Sequence, residues 1–148
     1  MSQSTDKVTV VVRSAGERTE QLCRDLILAQ GIVPTNVVVV REVPFSVAMR
    51  KSFAIGIERS LPWTFCVDAD VLLRPDSIGH MVQFAEAQED SVCEVQGFIL
   101  DKFFGGCREG GGHLFRPQLL DKVIARIPAE GHTGRPERAT LGGMRGGG

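Results

Sequence analysis

The chain has 148 residues, of which 43% are hydrophobic and 24% are charged, and its formal net charge is -1 at pH 7. This length suits one globular domain with a substantial core, and this composition argues against a largely disordered chain. Because the net charge is near zero and there is no lysine-rich stripe or row of aromatic stacking positions, nucleic acid is not expected as a partner.

The cellular context is predicted from the N-terminus and the cysteines. The first ten residues, MSQSTDKVTV, lack the basic and then apolar pattern of a signal peptide. No apolar run approaches the roughly 20 residues that cross a bilayer, so no transmembrane segment is expected. The cysteines, Cys23, Cys66, Cys93 and Cys107, form no C-x-x-C pair, which argues against a zinc site or a disulfide framework. We therefore expect a cytoplasmic protein whose cysteines are buried or free thiols.

The first part of the chain alternates between predicted strands and a helix. Valine-rich runs at 7–13 and 37–40 predict strands that are covered on both faces. Between them, apolar residues recur at helical spacing from Leu22 until Gly31, a residue that commonly ends a helix. A strand, a helix and a second strand in this order imply a right-handed crossover between parallel strands.

Two more helices are predicted on either side of a third strand, which begins at Trp63. The first helix follows Pro44 and ends before Pro62, and its apolar positions are Met49, Phe53, Ile57 and Leu61, with Ala54 alongside. The second helix starts near Pro75, and its apolar stripe comprises Ile78, Met81, Val82 and Ala85. The third strand is thus flanked in sequence by helices.

The last part of the chain predicts two strands and a short helix. One strand spans 92–100, with Gly97 at a bulge, and a short one spans 112–115. Pro117 then opens a helix that carries Leu120, Val123 and Ile124. From residue 128 the periodicity fades, and the last seven residues contain five glycines. We therefore predict an α/β domain over 1–127 and a glycine-rich, poorly ordered segment over 128–148.

Asp68 and Asp70 carry the clearest chemical signal. Residues two apart share one face of a strand, and a strand's carboxyl end is where open α/β sheets place ligands. Two carboxylates this close repel each other unless a cation lies near, and their oxygens suit Mg²⁺ or Mn²⁺. D-x-D also occurs by chance, and acidic residues often end a strand because loops are wet, so the fold context must support the metal.

Three segments in this order resemble the nucleotide-sugar-binding half of an A-type glycosyltransferase, nearest the family 2 type: KVTVVVRSAGERTE, NVVVVREV and FSVAMRKSFAIGIERSLPWTFCVDADVLLRPDSI. The resemblance covers roughly residues 7–125 and is densest over 49–78. It implies a Rossmann-like, mostly parallel sheet flanked by helices. It also implies a nucleotide-diphosphate sugar donor of the UDP or GDP type, and an acceptor that the sequence does not identify.

The resemblance assigns the metal to the D-x-D aspartates. Asp70 most directly, with Asp68, would hold Mn²⁺ or Mg²⁺ on the diphosphate of the donor, where a metal acts as a Lewis acid. His113 lies in the glycine-rich segment 105–116, which resembles the part of the family that passes under the sugar. It would add a nitrogen ligand or a hydrogen bond, although a lone histidine is more often structural.

The resemblance also implies residues that contact the nucleotide. The loop after the first strand, with Arg13 and Ser14, and the end of the second strand, with Glu42, would cradle the base and ribose. Lys51 lies in the basic start of the following helix, and Asp68 would contact the nucleotide as well as the metal. Glu42 has a simpler interpretation as a solvated loop charge.

An inverting member of the family needs a carboxylate base within reach of the acceptor hydroxyl. Glu137 is the best-placed candidate and Glu109 the second, and His132 is a candidate late metal ligand. The simpler interpretation of Glu137 is a solvated glutamate beside Arg135 and Arg138. The segment 128–148 would then form the acceptor side of the site.

Two other functions stay open at this point. One is a non-catalytic nucleotide-sugar-binding or regulatory domain, which the short length favours. The other is a phosphatase of the haloacid dehalogenase type, with Asp68 as nucleophile, although Val71 and Leu72 depart from its signature. A nucleotidylyltransferase is disfavoured because the turn over 13–18 lacks a glycine-rich, lysine-bearing loop. The sequence is compatible with a homo-oligomer and does not decide the oligomeric state.

Overall fold

A five-stranded sheet with the strand order β2-β1-β3-β5-β4 forms the centre of the protein. The computed structural model describes residues 2–101 and 105–127. The strands are β1 (Val8–Arg13), β2 (Val37–Val40), β3 (Trp63–Asp68), β4 (Glu94–Asp101) and β5 (Gly106–Phe115). The α-helices are α1 (Glu20–Leu28), α2 (Phe45–Arg59), α3 (Ser77–Glu86) and α4 (Leu120–Ile124). Short 3₁₀ turns cover Ser2–Lys7, Pro34–Asn36 and Pro117–Leu119.

The sheet is mostly parallel. β2 and β3 pair in parallel with β1 on its two sides, whereas β5 pairs antiparallel with both β3 and β4. Four of the five strands therefore run in one direction, and β5 runs in the other. This confirms the predicted α/β class, and it places the carboxyl ends of β1, β2 and β3 at one edge of the sheet.

Helices cover both faces of this sheet. Alternate residues of β1 and β3 divide between two cores, as the two-residue period of a strand requires. The first core contains α1 and α3, with Ile27, Ile78, Val82 and the β1 residues Val10 and Val12. The second contains α2 and α4, with Met49, Phe53, Leu120, Val123 and the β1 residue Val11. Burial on both faces explains the continuous valine run of β1.

β2 is less covered than its four valines predicted. Val37 and Val40 are buried, but Val38 and Val39 are only partly buried. β2 is the edge strand of the sheet and pairs with β1 alone among the described strands. The valine run therefore indicated the strand correctly and overstated its burial.

The buried face of α2 differs from the predicted stripe. Met49 and Phe53 are buried, but Ala54 is exposed, and Leu61 lies beyond the helix end, which Ser60 caps in the left-handed conformation (φ 54°). Ser52 and Gly56 complete the buried face instead. The helix packs closely on β3 at Gly56, where an added Cβ would lie 2.7 Å from Thr64 Cγ2. Apolar spacing alone could not identify a contact made by a glycine.

β5 is longer than predicted and includes most of the glycine-rich segment. It begins at Gly106 rather than at Gly112, and it is paired with β4 along its length. Gly112 lies so close to β3 that a Cβ there would overlap the Phe65 ring. The register between β4 and β5 shifts between Gln96 and Phe98, which confirms the bulge predicted at Gly97. The glycines thus serve sheet packing as well as turns.

The described chain ends with Ile127, which is buried against α2. The predicted helix after Pro117 is confirmed as a 3₁₀ turn followed by α4. The predicted boundary at 127–128 and the segment 128–148 lie at and beyond the limit of the described residues. Among the helices of the described part, none is long and apolar enough to span a bilayer.

Candidate functional site

An open cavity of about 160 Å³ lies at the carboxyl ends of β1, β2 and β3. The residues that line it come from β1, from the two loops that follow β1 and β2, from the start of α2 and from the end of β3: Arg13, Ser14, Ala15, Glu17, Glu42, Val43, Phe45, Ala48, Asp68 and Asp70. The structure thus brings together five of the residues that the sequence predicted. Parallel strands produce this convergence because their carboxyl ends meet at one edge.

Arg13 and Asp68 form an ion pair on the floor of the cavity. They are opposite each other in the β1–β3 register, and Arg13 Nε donates to Asp68 Oδ1 at 3.0 Å. The Arg13 side chain is only 3% exposed, and its guanidinium stacks 4.8 Å from the centre of the Phe45 ring. The ion pair therefore holds the Asp68 carboxylate in one orientation at the end of β3.

Asp70 lies just beyond the end of β3 and is exposed to solvent. Ala69 between the two aspartates is fully buried, and its N–H donates to the Arg13 carbonyl at 2.9 Å. This anchor fixes the backbone from which both aspartates reach the cavity. The Asp70 carboxylate makes no ion pair or side-chain hydrogen bond with the described residues, so its oxygens are open to a cation or a ligand.

The loop between β1 and α1 brings a further carboxylate to the cavity. Glu17 Oε2 accepts hydrogen bonds from Ser14 Oγ at 3.0 Å and from the Ala15 N–H at 2.7 Å. Burial alone would raise the Glu17 pKa, but the hydrogen bonds it accepts outweigh burial and lower it. Glu17 was not among the predicted site residues, and only the folded loop reveals it. The cavity therefore has an acidic side formed by three carboxylates, Glu17, Asp68 and Asp70.

The acidic side of the cavity affects a buried thiol behind it. Cys23 in α1 is fully buried, with Sγ 3.9 Å from the Asp68 carbonyl oxygen. Burial raises the pKa of the Cys23 thiol to about 11, and the charges of Asp70 and Asp68 contribute to the rise. The negative charges of the two aspartates therefore affect a group in the core. Such a site disfavours a further negative charge and favours a cation.

The loop after β2 and the start of α2 add an apolar part of the lining with one carboxylate beside it. Val43 and Phe45 form this part, and Val43 is 74% exposed. Glu42 lines the cavity beside them and accepts a hydrogen bond from Lys51 Nζ at 2.9 Å. Lys51 contacts the site through Glu42 and is not itself a lining residue. The sequence missed Val43, Phe45 and Ala48, although their place directly after a predicted strand end was a usable signal.

The structure separates His113 from the cavity. His113 lies within β5, opposite Cys66, is 5% exposed, and contacts Glu94 through Nδ1. Its ring stacks on Phe115 with the centroids 6.2 Å apart, and Phe115 belongs to the core formed with α2. The residue predicted to face a metal is therefore packed inside the sheet layer, because β5 extends through the segment that was predicted to pass under the sugar.

The remaining predicted residues lie outside the cavity's described lining. The backbone of Glu109 is in β5, paired with Phe98, while Glu137 and His132 fall outside the described residues. Within residues 2–101 and 105–127, no three His, Cys, Asp or Glu side chains converge as a ready-made set of metal ligands. The described site thus offers a pair of neighbouring aspartates rather than a complete metal cage.

Solved structures of other proteins resemble this chain in fold. Superposition on A197 from STIV gives a TM-score of 0.58 at 15% identity, over 83% of this chain and 71% of that one. A glycosyltransferase involved in the glycosylation of the major capsid of PBCV-1 gives 0.57 at 14% identity, over 88% and 72%. The chain shares the fold of a glycosyltransferase. A cytidylyltransferase from Leptospira borgpetersenii serovar Hardjo-bovis (strain JB197) gives 0.54 at 11% identity, over 91% and 68%.

Sequence comparison adds no family to this result. No family model matches the chain, and no curated protein matches it significantly. Identities of 11–15% establish the fold and not the activity. The activity depends on the position of the cavity within this fold and on the residues that line it.

Proposed function

We propose that the protein is a metal-dependent glycosyltransferase that takes its sugar from a nucleotide-diphosphate donor. The observation that carries the proposal is the Asp70 carboxylate, which lies open beside the Arg13–Asp68 ion pair at the carboxyl edge of the sheet. The fold is shared with a glycosyltransferase. The resemblance of the sequence to A-type glycosyltransferases of the family 2 kind implies that Asp68 and Asp70 are their D-x-D aspartates.

The donor set fits a hard divalent cation. Carboxylate oxygens suit Mn²⁺ or Mg²⁺, and Mg²⁺ is usually held by one or two carboxylates together with substrate phosphates. Two such groups are present here, Asp70 and Asp68, and their charges contribute to the raised pKa of the nearby Cys23 thiol. When bound, the cation would supply Lewis acidity at the leaving diphosphate.

Each residue of the site then has its own role in binding the donor. Asp70 binds the cation, while Asp68 is oriented by Arg13 and contacts the cation or the ribose. The apolar part of the lining, with Val43 and Phe45, accepts the base, and Glu42 contacts its edge. Glu137 stays a prediction for the base that removes the acceptor proton.

The central experiment measures nucleotide binding with and without a cation. We expect GDP or UDP to bind in the presence of Mn²⁺ or Mg²⁺, and Asp70→Asn to weaken that binding at least tenfold, roughly 1.4 kcal/mol. Glu58→Gln, on the exposed end of α2 away from the cavity, is the matched control and should bind as the wild type does. Cation-dependent binding that survives Asp70→Asn would refute the proposal.

Product analysis separates the three enzyme classes. Incubation with sugar nucleotides should release free sugar slowly, because water can replace the absent acceptor. A phosphatase would instead hydrolyse phosphate monoesters and lose that activity in Asp68→Asn. A nucleotidylyltransferase would release pyrophosphate from CTP and a sugar phosphate. Either of the last two results would replace the proposed class.

A further inference from the structure

We propose that the donor base is guanine and that Glu42 selects it. This inference rests on the proposed function, since it concerns the base of the nucleotide that the cavity would bind. It depends on the chemistry of the two ends of the cavity and on the ion pair between Glu42 and Lys51.

The two ends of the cavity fix the orientation of a nucleotide. Asp68 and Asp70 form the acidic end, which accepts a diphosphate only together with a cation. Glu42 and the largely exposed Val43 follow β2, on the other side of β1 from Asp68 and Asp70, and they form the second end. The Phe45 ring lies between the two ends, against the Arg13 guanidinium. A planar base would cover the apolar surface of Val43 and Phe45, whereas a hydrated diphosphate would gain nothing from it. The base is therefore assigned to the end that contains Glu42.

Glu42 presents hydrogen-bond acceptors to whatever lies at that end. Its side chain is 37% exposed, and Lys51 Nζ holds its Oε1 at 2.9 Å. An ionised carboxylate can only accept hydrogen bonds, and an ammonium group can only donate them. The pair therefore offers two carboxylate oxygens next to a group with further N–H donors.

Guanine is the common base that matches this arrangement. Its N1–H and its 2-amino group are adjacent donors that fit the two oxygens of one carboxylate, and its O6 is an acceptor beside them. Uracil has a single N3–H between two carbonyl oxygens, so a carboxylate that accepts from N3–H would also face a carbonyl oxygen. Adenine and cytosine each set one amino donor beside a ring-nitrogen acceptor.

The selection has an attractive and a repulsive part. Guanine gains a second hydrogen bond to Glu42, and uracil brings an oxygen against a carboxylate oxygen. Because a bidentate contact discriminates strongly between bases, we expect GDP to bind at least about tenfold tighter than UDP.

Glu42→Gln provides a sharp test because it keeps the shape and changes the pattern. A glutamine has one acceptor and one donor, which suit the N3–H and a carbonyl oxygen of uracil. We expect this variant to lose the preference for GDP and to shift toward UDP. Inosine diphosphate lacks the 2-amino group and should bind the wild type more weakly than GDP. Glu58→Gln is again the control, and its GDP to UDP ratio should equal that of the wild type.

The dissociation constants of the full chain, measured by calorimetry with saturating Mn²⁺, decide between the outcomes. Equal or tighter binding of UDP in the wild type would overturn the guanine assignment and leave the proposed function standing. A GDP preference that persists in Glu42→Gln would overturn Glu42 as the selecting residue. If no nucleoside diphosphate bound with either cation, the proposed function and this inference would both be refuted.

Discussion

The Nε atom of Arg13 lies 3.0 Å from Oδ1 of Asp68, and the two residues face each other across the β1–β3 ladder. The ion pair places a buried positive charge beneath two neighbouring carboxylates. Asp68 is thereby partly neutralised, while Asp70 makes no such contact with the described residues. The two aspartates of D-x-D are consequently not equivalent, and Asp70 is the one left open to a cation.

The Arg13–Asp68 pair should contribute to stability. Arg13→Gln removes the guanidinium that pairs with Asp68 and leaves the Asp68 carboxylate next to Asp70. We expect the free energy of unfolding to fall by about 2 kcal/mol. This is less than is typical for a fully buried pair because the Asp68 side chain is 37% exposed. Urea denaturation of Arg13→Gln, Asp68→Asn and the double variant measures the coupling. Strictly additive effects would show that the pair contributes nothing.

The contact between Gly56 and Thr64 should limit substitution in α2. Alanine normally favours a helix over glycine, but a Cβ at residue 56 would lie 2.7 Å from Thr64 Cγ2. We therefore expect Gly56→Ala to destabilise the protein by about 1 to 3 kcal/mol through overpacking.

Thr64→Ala should restore part of this loss when it is combined with Gly56→Ala. The Thr64 hydroxyl is buried and has no hydrogen-bond partner among the described residues, so removing it breaks no hydrogen bond there. Thermal unfolding of the two single variants and the double variant tests this. If Gly56→Ala alone raised the midpoint temperature, the close packing of α2 on β3 would be wrong.

Alkaline pH should weaken the fold through Cys23. Burial raises its pKa from the ordinary value of 9.0 to about 11, so the folded state keeps the thiol proton to higher pH than the unfolded state does. Stability should therefore be unaffected by this group below pH 9 and should fall between pH 9 and 11, by about 1 to 2 kcal/mol. Urea denaturation at several pH values across this range measures how steeply the free energy of unfolding falls with pH. A Cys23→Ala variant with the same slope as the wild type would contradict the prediction.

The catalytic base is predicted to lie in the segment 128–148. Glu137→Gln keeps the side-chain shape and removes the proton acceptor, so it should abolish sugar transfer and leave nucleotide affinity unchanged. Truncation after Ile127 should likewise abolish sugar transfer and leave nucleotide affinity unchanged. The shortened chain should still fold, because Ile127 is buried and its carbonyl accepts a hydrogen bond from Arg50 at 3.0 Å. Binding is read by calorimetry, and transfer by product analysis. Normal transfer in Glu137→Gln would rule out Glu137 and move the search for the base to Glu109, the second candidate.

Much of the fold could be predicted from local patterns. The valine runs, the helical spacing in α1 and α3 and the position of Asp68 and Asp70 at a strand end all depend on residues within a few positions of one another. The bulge at Gly97 was also predicted and is confirmed by the register shift between β4 and β5. Such features arise from side-chain periodicity and from the backbone preferences of glycine and proline.

The tertiary structure alone decided which distant residues meet. The strand order places β1 beside β3 and so brings Arg13 to Asp68, and it leaves Val38 and Val39 partly exposed on an edge strand. The long β5 takes His113 into the sheet layer. Strand order and register are set by burial and hydrogen bonds between segments far apart in sequence, and no local pattern encodes them. The sequence by itself therefore determined that an acidic pair ends a strand, and the packing determined that Arg13 holds one aspartate and leaves the other open.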